Sequence, residues 1–463
     1  MLDAVRRAAL DVIVVFDGLA PAAITPERCP WLCSVRDRSS RFTAARAQLP
    51  SVTRVNAATL ATGVRPGRHG LVGNSIRVRE LGLDRAVWTS DRHDLLAVRK
   101  ACGSILLAPT VGELLAAAGR RTVVVNTGSA GVSLLLDPTA HGGGPGIRVN
   151  TRDADPLAEP AWAAGELHAR FGAPADDRAD QLRYAVDALA YLIEAHQPDV
   201  AVLWLTEPDA SQHRHGPGSA QSLAALATAD AALGRLVDAL EALGHADDTN
   251  LWVASDHGSS PMTGRVNLAE ELAAAGFGRG ISCCDDGTSA IWLDDPADPV
   301  AERLVAWLRR QPWTGVLFGA DGLPDTVPLS LIGAVGPRSP QLFVGYAPGW
   351  YSAQAGPTTD APDWHGCHGS GYRRDVHSVL QVTGPDYRSD VDLTAPAGLI
   401  DVLPTIAAGL GIDADFDGRV LTEARPGGPA PAATTTRLAL PGARATVNRV
   451  AGVSYVDEIV PDR

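Results

Sequence analysis

Lysine is almost missing from this chain: Lys100 is the only one among 40 basic residues in 463, and methionine occurs twice. With abundant alanine, that bias fits codon usage in a GC-rich bacterial genome rather than a functional device. Long hydrophobic runs are also missing. No stretch of eighteen apolar residues occurs, so no membrane-spanning helix is expected. The apolar segment Leu10–Phe16 contains Asp11 and is too short for a secretory h-region, so a cytoplasmic location is the expectation. The six cysteines (Cys29, Cys33, Cys102, Cys283, Cys284 and Cys367) show no CxxC spacing, and reduced thiols are expected rather than a disulfide framework. A formal charge of −13 leaves no basic surface for a nucleic acid polymer. It still permits a small anionic substrate, because a bound divalent ion would reverse the local field.

What the chain does have is apolar runs that end in acids. Val12–Phe16 leads into Asp17, Val200–Thr206 into Asp209, and Leu251–Ser255 into Asp256. Such short, β-branched runs read as buried strands of a parallel sheet. In open α/β sheets, ligands bind just beyond the carboxyl ends of the strands. Three carboxylates at three strand exits, two with histidines nearby (His213 and His257), therefore suggest one metal-lined site assembled from distant segments.

A further strand is expected at Arg121–Asn126, with amphipathic helices at Ala179–Ala195 and Ala220–Leu243. This βαβ rhythm predicts an α/β fold, a mainly parallel sheet between helical layers. Residues 140–175, rich in Gly, Pro and Asp, are expected as surface loop. Residues 1–264 then form the first part of a catalytic core. A cap or inserted subdomain at 265–365 carries short strands at Ser289–Leu293 and Gln341–Tyr346 and a helix near Val300–Arg310. Residues 366–423 complete the core with Ser378–Thr383 and the helix Gly398–Leu410. Residues 424–463 are expected as a linker, over 424–436, and a short terminal segment.

The segment LPSVTRVNAATLATG, 49–63, places Ser51 and Thr53 just before a helical stretch that Gly63 would close. A hydroxyl at such a start lies where backbone N–H groups and the helix dipole favour an anion. Thr53 could equally be an ordinary N-cap. Asn56, one turn on, could point to the same anion. Asp209 and His213, four apart, face the same way on a helix and could grip one ion. Gly258 gives the Asp256-His257 turn freedom to let its side chains converge. In DWHGCHGSGY, 363–372, both His365 and His368 are candidate ligands. His69, His215 and His377 are read as structural or solvent-facing.

VFDG at 15–18, the Thr53–Gly63 segment followed by RPGRHGLVGN at 65–74, EPDASQHRHGP at 207–217, SDHG at 255–258 and HGS at 368–370 occur in order. Together they resemble the alkaline phosphatase superfamily, and most of all its branch of type I phosphodiesterases and nucleotide pyrophosphatases. Phosphonoacetate hydrolase is a close relative of that branch. LIDVLPTIAAGLGI, 399–412, resembles the closing helix of that family.

The resemblance implies an alkaline-phosphatase-like core with two divalent ions, normally zinc. Asp209, His213 and His368 would hold one. Asp17, Asp256 and His257 would hold the other, with Thr53 bridging toward it as nucleophile. It also favours His368 over His365. The implied activity is hydrolysis of a phosphodiester or nucleotide-like pyrophosphate through a phospho-threonine, with Asn56 and the Thr53 N–H steadying the phosphoryl oxygens. Rival readings are a phosphonate hydrolase cleaving a C–P bond, a phosphate monoesterase, and an inactive homologue that binds an anion. One departure stands out. Relatives follow the nucleophile with an aromatic residue, which helps hold a nucleobase, and then Pro; here Arg54 and Val55 fill those places. Arg54 is either a solvated helix residue or a contact for a second anionic group of the substrate.

Overall fold

The computed structural model describes residues 6–152, 157–353 and 363–462. Residues 153–156 of the expected loop and 354–362 of the expected cap lie outside them.

Five apolar runs pair side by side, all parallel, in the order Thr249–Ala254, Leu10–Phe16, Val200–Leu205, Thr122–Asn126, Ile147–Asn150. Every residue of these strands is buried, which explains why their sequences run apolar without alternating. Alternate side chains nonetheless serve different layers. Val12, Val14 and Phe16 pack with Leu189 and Leu233, from the helices Arg178–His196 and Ala220–Ala242. Ile13 and Val15 pack with Ala57, Leu60 and Ala61 of the helix Thr53–Thr62 and with Ile406 of the helix Val402–Leu410. Four short or antiparallel strands extend the sheet to nine: Leu380–Thr383, Ser40–Phe42 and Val391–Leu393 on one side, Ala158–Glu159 on the other.

A separate six-stranded sheet fills the chain between Gly264 and Ala353, built around the long strand Ile281–Leu293. It has its own apolar centre, where Ile291 and Val344 meet Leu304 and Leu308 of the helix Val300–Leu308.

Two stretches differ from the sequence expectation. Within 140–175 the structure has a strand, Ile147–Asn150, and a helix, Ala161–Phe171, which buries Ala163 and Leu167. The flanking Gly and Pro residues hid this one-sided apolar stripe. At the other end, the predicted linker over 424–436 runs into a strand. Ala433–Leu440, Ala443–Val450 and Val453–Pro461 form an antiparallel three-stranded sheet. Its threonines suit a solvated outer strand. Its inner face seats Ala445, Val447 and Ile459 against Trp292 and Phe318. Tyr455 Oη donates to the Asp401 carboxylate at 2.9 Å, and the Ile459 N–H to Gly371 O at 2.8 Å, so this sheet is packed structure rather than a tether.

None of the six cysteines forms a disulfide. Among the described residues no helix is long and apolar enough to cross a membrane.

Candidate metal-assisted hydrolytic site

The three central strands end side by side, and the residues immediately after them converge. Asp17 follows Leu10–Phe16. Asp209 opens the helix Asp209–His215 shortly after Val200–Leu205. Asp256 and His257 follow Thr249–Ala254. Gly18 has φ +72°, and a Cβ there would lie 2.9 Å from the Asp209 Cβ, so only glycine lets the first two turns approach this closely.

Two overlapping groups of ligand-type atoms result. Asp17, Asp256 and His257 form one and Asp209, His257 and His368 the other, with the chosen atoms in each within 4.8 Å of one another. His257 Nε2 lies 3.4 Å from Asp17 Oδ1 and 3.2 Å from Asp256 Oδ2. Asp209 has His213 Nε2 at 3.3 Å from one oxygen and His368 Nε2 at 3.4 Å from the other.

The surrounding hydrogen bonds orient these side chains for a cation. Each imidazole turns Nδ1 to a backbone carbonyl: His257 to Gly258 O at 2.8 Å, His213 to Gly366 O at 2.8 Å, His368 to Ser51 O at 2.9 Å. With Nδ1 turned outward to a carbonyl, each Nε2 faces the site, as in well-ordered metal centres. Trp204 donates to Asp17 Oδ2 at 3.0 Å, and the Gly18 N–H to Asp256 Oδ1 at 3.0 Å. Asp209 Oδ1 and Asp256 Oδ2 are buried and accept no hydrogen bond. Orphaned carboxylate oxygens facing bare imidazole nitrogens are what a divalent ion would satisfy.

The electrostatics agree. Burial, then Asp256 and Asp209, push the Asp17 carboxyl well above its ordinary range. Burial likewise raises Asp256. Burial acts to raise Asp209 too, yet its neighbours, His213 foremost through charge and a hydrogen bond, hold it low. Burial and the neighbouring His257 drive His368 far below 6.5, so it is neutral and able to ligate. Mixed carboxylate–imidazole donors suit zinc.

Thr53 is the first residue of the helix Thr53–Thr62, with Val52 as its N-cap. Its hydroxyl faces the cluster rather than the helix backbone. Oγ1 is 3.1 Å from His257 Nε2 and 3.4 Å from Asp17 Oδ1. It shares a cavity of about 200 Å³ with Arg54, Asp17, Asp209, His213 and His368.

Asn56 does not join them, which corrects the sequence reading. It is fully buried, its Oδ1 accepting from the Gln48 N–H at 2.8 Å and its Nδ2 donating to Gln48 O and Val52 O, each at 3.2 Å. It ties the preceding loop to the helix. The amide that does reach the cavity is Asn74, whose Oδ1 accepts from the Arg54 N–H at 3.1 Å. Asn74 ends the RPGRHGLVGN segment, but a lone Asn after Gly reads as turn chemistry, and only that segment's place in the motif order hinted at more.

Of the two histidines in DWHGCHGSGY, His368 is buried and turned to the cluster, whereas His365 is exposed. His365 contributes its backbone, donating N–H to His213 O at 2.8 Å. His215 is exposed. His69 is buried and bonded to Thr59, a structural pair.

The nine-stranded core and this site define an alkaline-phosphatase-like α/β protein. The family model for type I phosphodiesterase / nucleotide pyrophosphatase matches residues 12–371, and the chain belongs to that family. The chain is 25% identical over 225 residues to a venom phosphodiesterase of Macrovipera lebetinus, a match covering 47% of this chain and 21% of the relative. It is 44% identical over 62 residues to ectonucleotide pyrophosphatase/phosphodiesterase family member 1 of Mus musculus, covering 13% and 7%. It thus spans only a small part of the length of these relatives. Murine ectonucleotide pyrophosphatase/phosphodiesterase 5 has the same fold, with a TM-score of 0.65 and 17% identity over 88% of this chain and 96% of that one. An inactive threonine-to-alanine variant of that murine protein, in complex with AMP, superposes with a TM-score of 0.64 at 17% identity, covering 88% and 96%.

Proposed function

We propose that this protein is a hydrolase of phosphodiesters or nucleotide-like pyrophosphates that works through a phospho-threonine on Thr53. The observation that carries the reading is the Thr53 hydroxyl, 3.1 Å from His257 Nε2 at a helix start beside the buried carboxylates of Asp17 and Asp256 and the half-buried Asp209. AMP bound to the murine structural neighbour supports a small phosphorus-containing substrate.

Asp209, His213 and His368 would hold one ion, and Asp17, Asp256 and His257 the other, with Thr53 beside it. When bound, two zinc ions would lower the pKa of the threonine hydroxyl and neutralise charge on the phosphoryl oxygens and leaving group. Thr53 Oγ1 gives up its proton to solvent and forms a bond to phosphorus while the bond to the leaving oxygen breaks, and that oxygen departs with the electron pair. The Thr53 N–H, free at the helix start, and the Asn74 amide donate to the phosphoryl oxygens as charge builds there. Water cleaves the Oγ1–P bond and restores the hydroxyl. Trp204 keeps Asp17 in place throughout through its bond to Oδ2.

The test is hydrolysis of bis(p-nitrophenyl) phosphate by protein loaded with zinc or manganese, followed by rapid quenching and peptide mass spectrometry. A phosphoryl adduct on Thr53 is the expected result. Turnover that survives in full in Thr53→Ala, with metals retained, overturns the covalent route.

A further inference from the structure

Arg54 stands one residue beyond the nucleophile, and its side chain lines the same cavity. Among the described residues its guanidinium makes no hydrogen bond or ion pair, and its Nε is buried without a partner. Only Nε is shut off from water, and the rest of this half-buried side chain stays open to a ligand in the cavity. Its one evident electrostatic neighbour is Asp17. That duty lapses once divalent ions sit among the carboxylates, because the ions supply the compensating charge.

Other arginines stand near it, beside the acids Asp17 and Asp209. Arg152 lines the same cavity. Arg178 lies near both Arg152 and Arg214, with Glu207 3.5 Å away as its counter-ion. In a chain of net charge −13, this clustering runs against composition. Apart from imidazoles, Trp364 is the cavity's one aromatic side chain among the described residues. That ring already lies against His213, centroids 4.4 Å apart, and against Tyr351 at 5.5 Å.

We propose that Arg54 recognises a second anionic group, a phosphate or a carboxylate, on the part of the substrate that stays on phosphorus after the leaving group departs. In-line attack puts the leaving group opposite Thr53 Oγ1. Arg54, on the nucleophile's own helix, sits on the side of the retained substituent. A guanidinium fork suits either anion and adds a charge-assisted contact that a neutral substituent cannot make. This inference rests on the phosphohydrolase reading above and narrows its substrate class.

Three diesters with the same p-nitrophenolate leaving group test it: methyl, carboxymethyl and phosphonomethyl p-nitrophenyl phosphate. With the metal-loaded wild type, at least one doubly anionic ester should exceed the methyl ester in kcat/KM by about 10-fold or more. The larger of the two ratios tells which anion is preferred. Arg54→Gln should bring that ratio close to one, and Arg54→Lys should recover part of it. A wild-type ratio near one, with all three esters hydrolysed, overturns the proposal, as does an undiminished ratio in Arg54→Gln. Should Arg54→Gln fail to hold metal, the wild-type ratio and Arg54→Lys decide alone. Hydrolysis of none of the three by the wild type sinks the phosphohydrolase reading itself, a different failure.

Discussion

His257 and His368 stack face to face, ring centroids 3.6 Å apart and planes 16° from parallel, each with Nδ1 turned to a backbone carbonyl. Residues 111 positions apart in the chain thereby present two Nε2 atoms to the same acidic cluster. Two imidazoles face the buried carboxylates of Asp17 and Asp256 and the half-buried Asp209, a donor set that a cation would satisfy.

Protein purified without chelator should contain close to two equivalents of divalent metal by elemental analysis. Removing them should lower the melting temperature, since ligation stabilises only the folded state. Fewer than one equivalent, with no gain in stability or turnover on adding zinc or manganese, would sink the metal assignment.

His368→Ala should lose metal and activity together. His365→Ala should keep near-normal metal content, because His365 is exposed and contributes only its backbone. Equal loss in both variants would mean that the two histidines share a ligand role.

Asn74 and Asn56 should separate cleanly. Asn74→Ala should reduce kcat by roughly 100- to 1,000-fold, the usual loss for one donor to a developing oxyanion, well beyond what the loss of its bond from the Arg54 N–H costs in melting temperature. Asn56→Ala should instead destabilise the fold by about 1–3 kcal/mol, because it leaves buried Gln48 backbone groups without partners. Thermal melts and steady-state kinetics on both variants check this. A large kinetic loss in Asn56→Ala at unchanged stability would reverse the assignment.

Acid should weaken the joint between core and terminal sheet. His377 Nε2 lies 3.3 Å from Asp457 Oδ1, Arg46 donates to the same oxygen through Nε at 2.9 Å, and Arg373 donates to the other at 2.8 Å. The contact with His377, then Arg46 and Arg373, outweigh burial and hold Asp457 below its ordinary pKa. A depressed carboxyl stabilises the fold above its unfolded pKa, about 3.9, and loses that contribution as pH falls below it. Asp457→Asn should therefore melt well below wild type at pH 7, and the gap should narrow toward pH 3. Breaking the buried contact to Arg46 is worth roughly 3 kcal/mol at neutral pH. A gap that stays constant with pH would show that packing, not charge, holds this joint.

The parallel core was legible because buried strands must be apolar along their whole length, so runs such as Val200–Leu205 announce themselves. The acids at the strand exits were legible for the converse reason: a carboxylate directly after such a run has no place in a core without a partner. Motif order added His368 and Thr53. The C-terminal sheet was not legible, because its outer strand, ATTTRLAL, is exposed along most of its length and carries linker-like composition.

Sequence by itself determined which residues could bind a metal and that their strands would end together. Only the tertiary structure decided which amide faces the cavity. Asn56 and Asn74 are both plausible neighbours of Thr53 along the chain. Helix geometry turns Asn56 back onto the Gln48 backbone, while the chain after the short helix Pro66–His69 delivers Asn74 to the Arg54 N–H. Periodicity fixes where a side chain points on its own helix, but it cannot say which distant loop fills the space opposite. That depends on packing between segments, and it is what leaves the Arg54 guanidinium unpaired at the mouth of an acidic site.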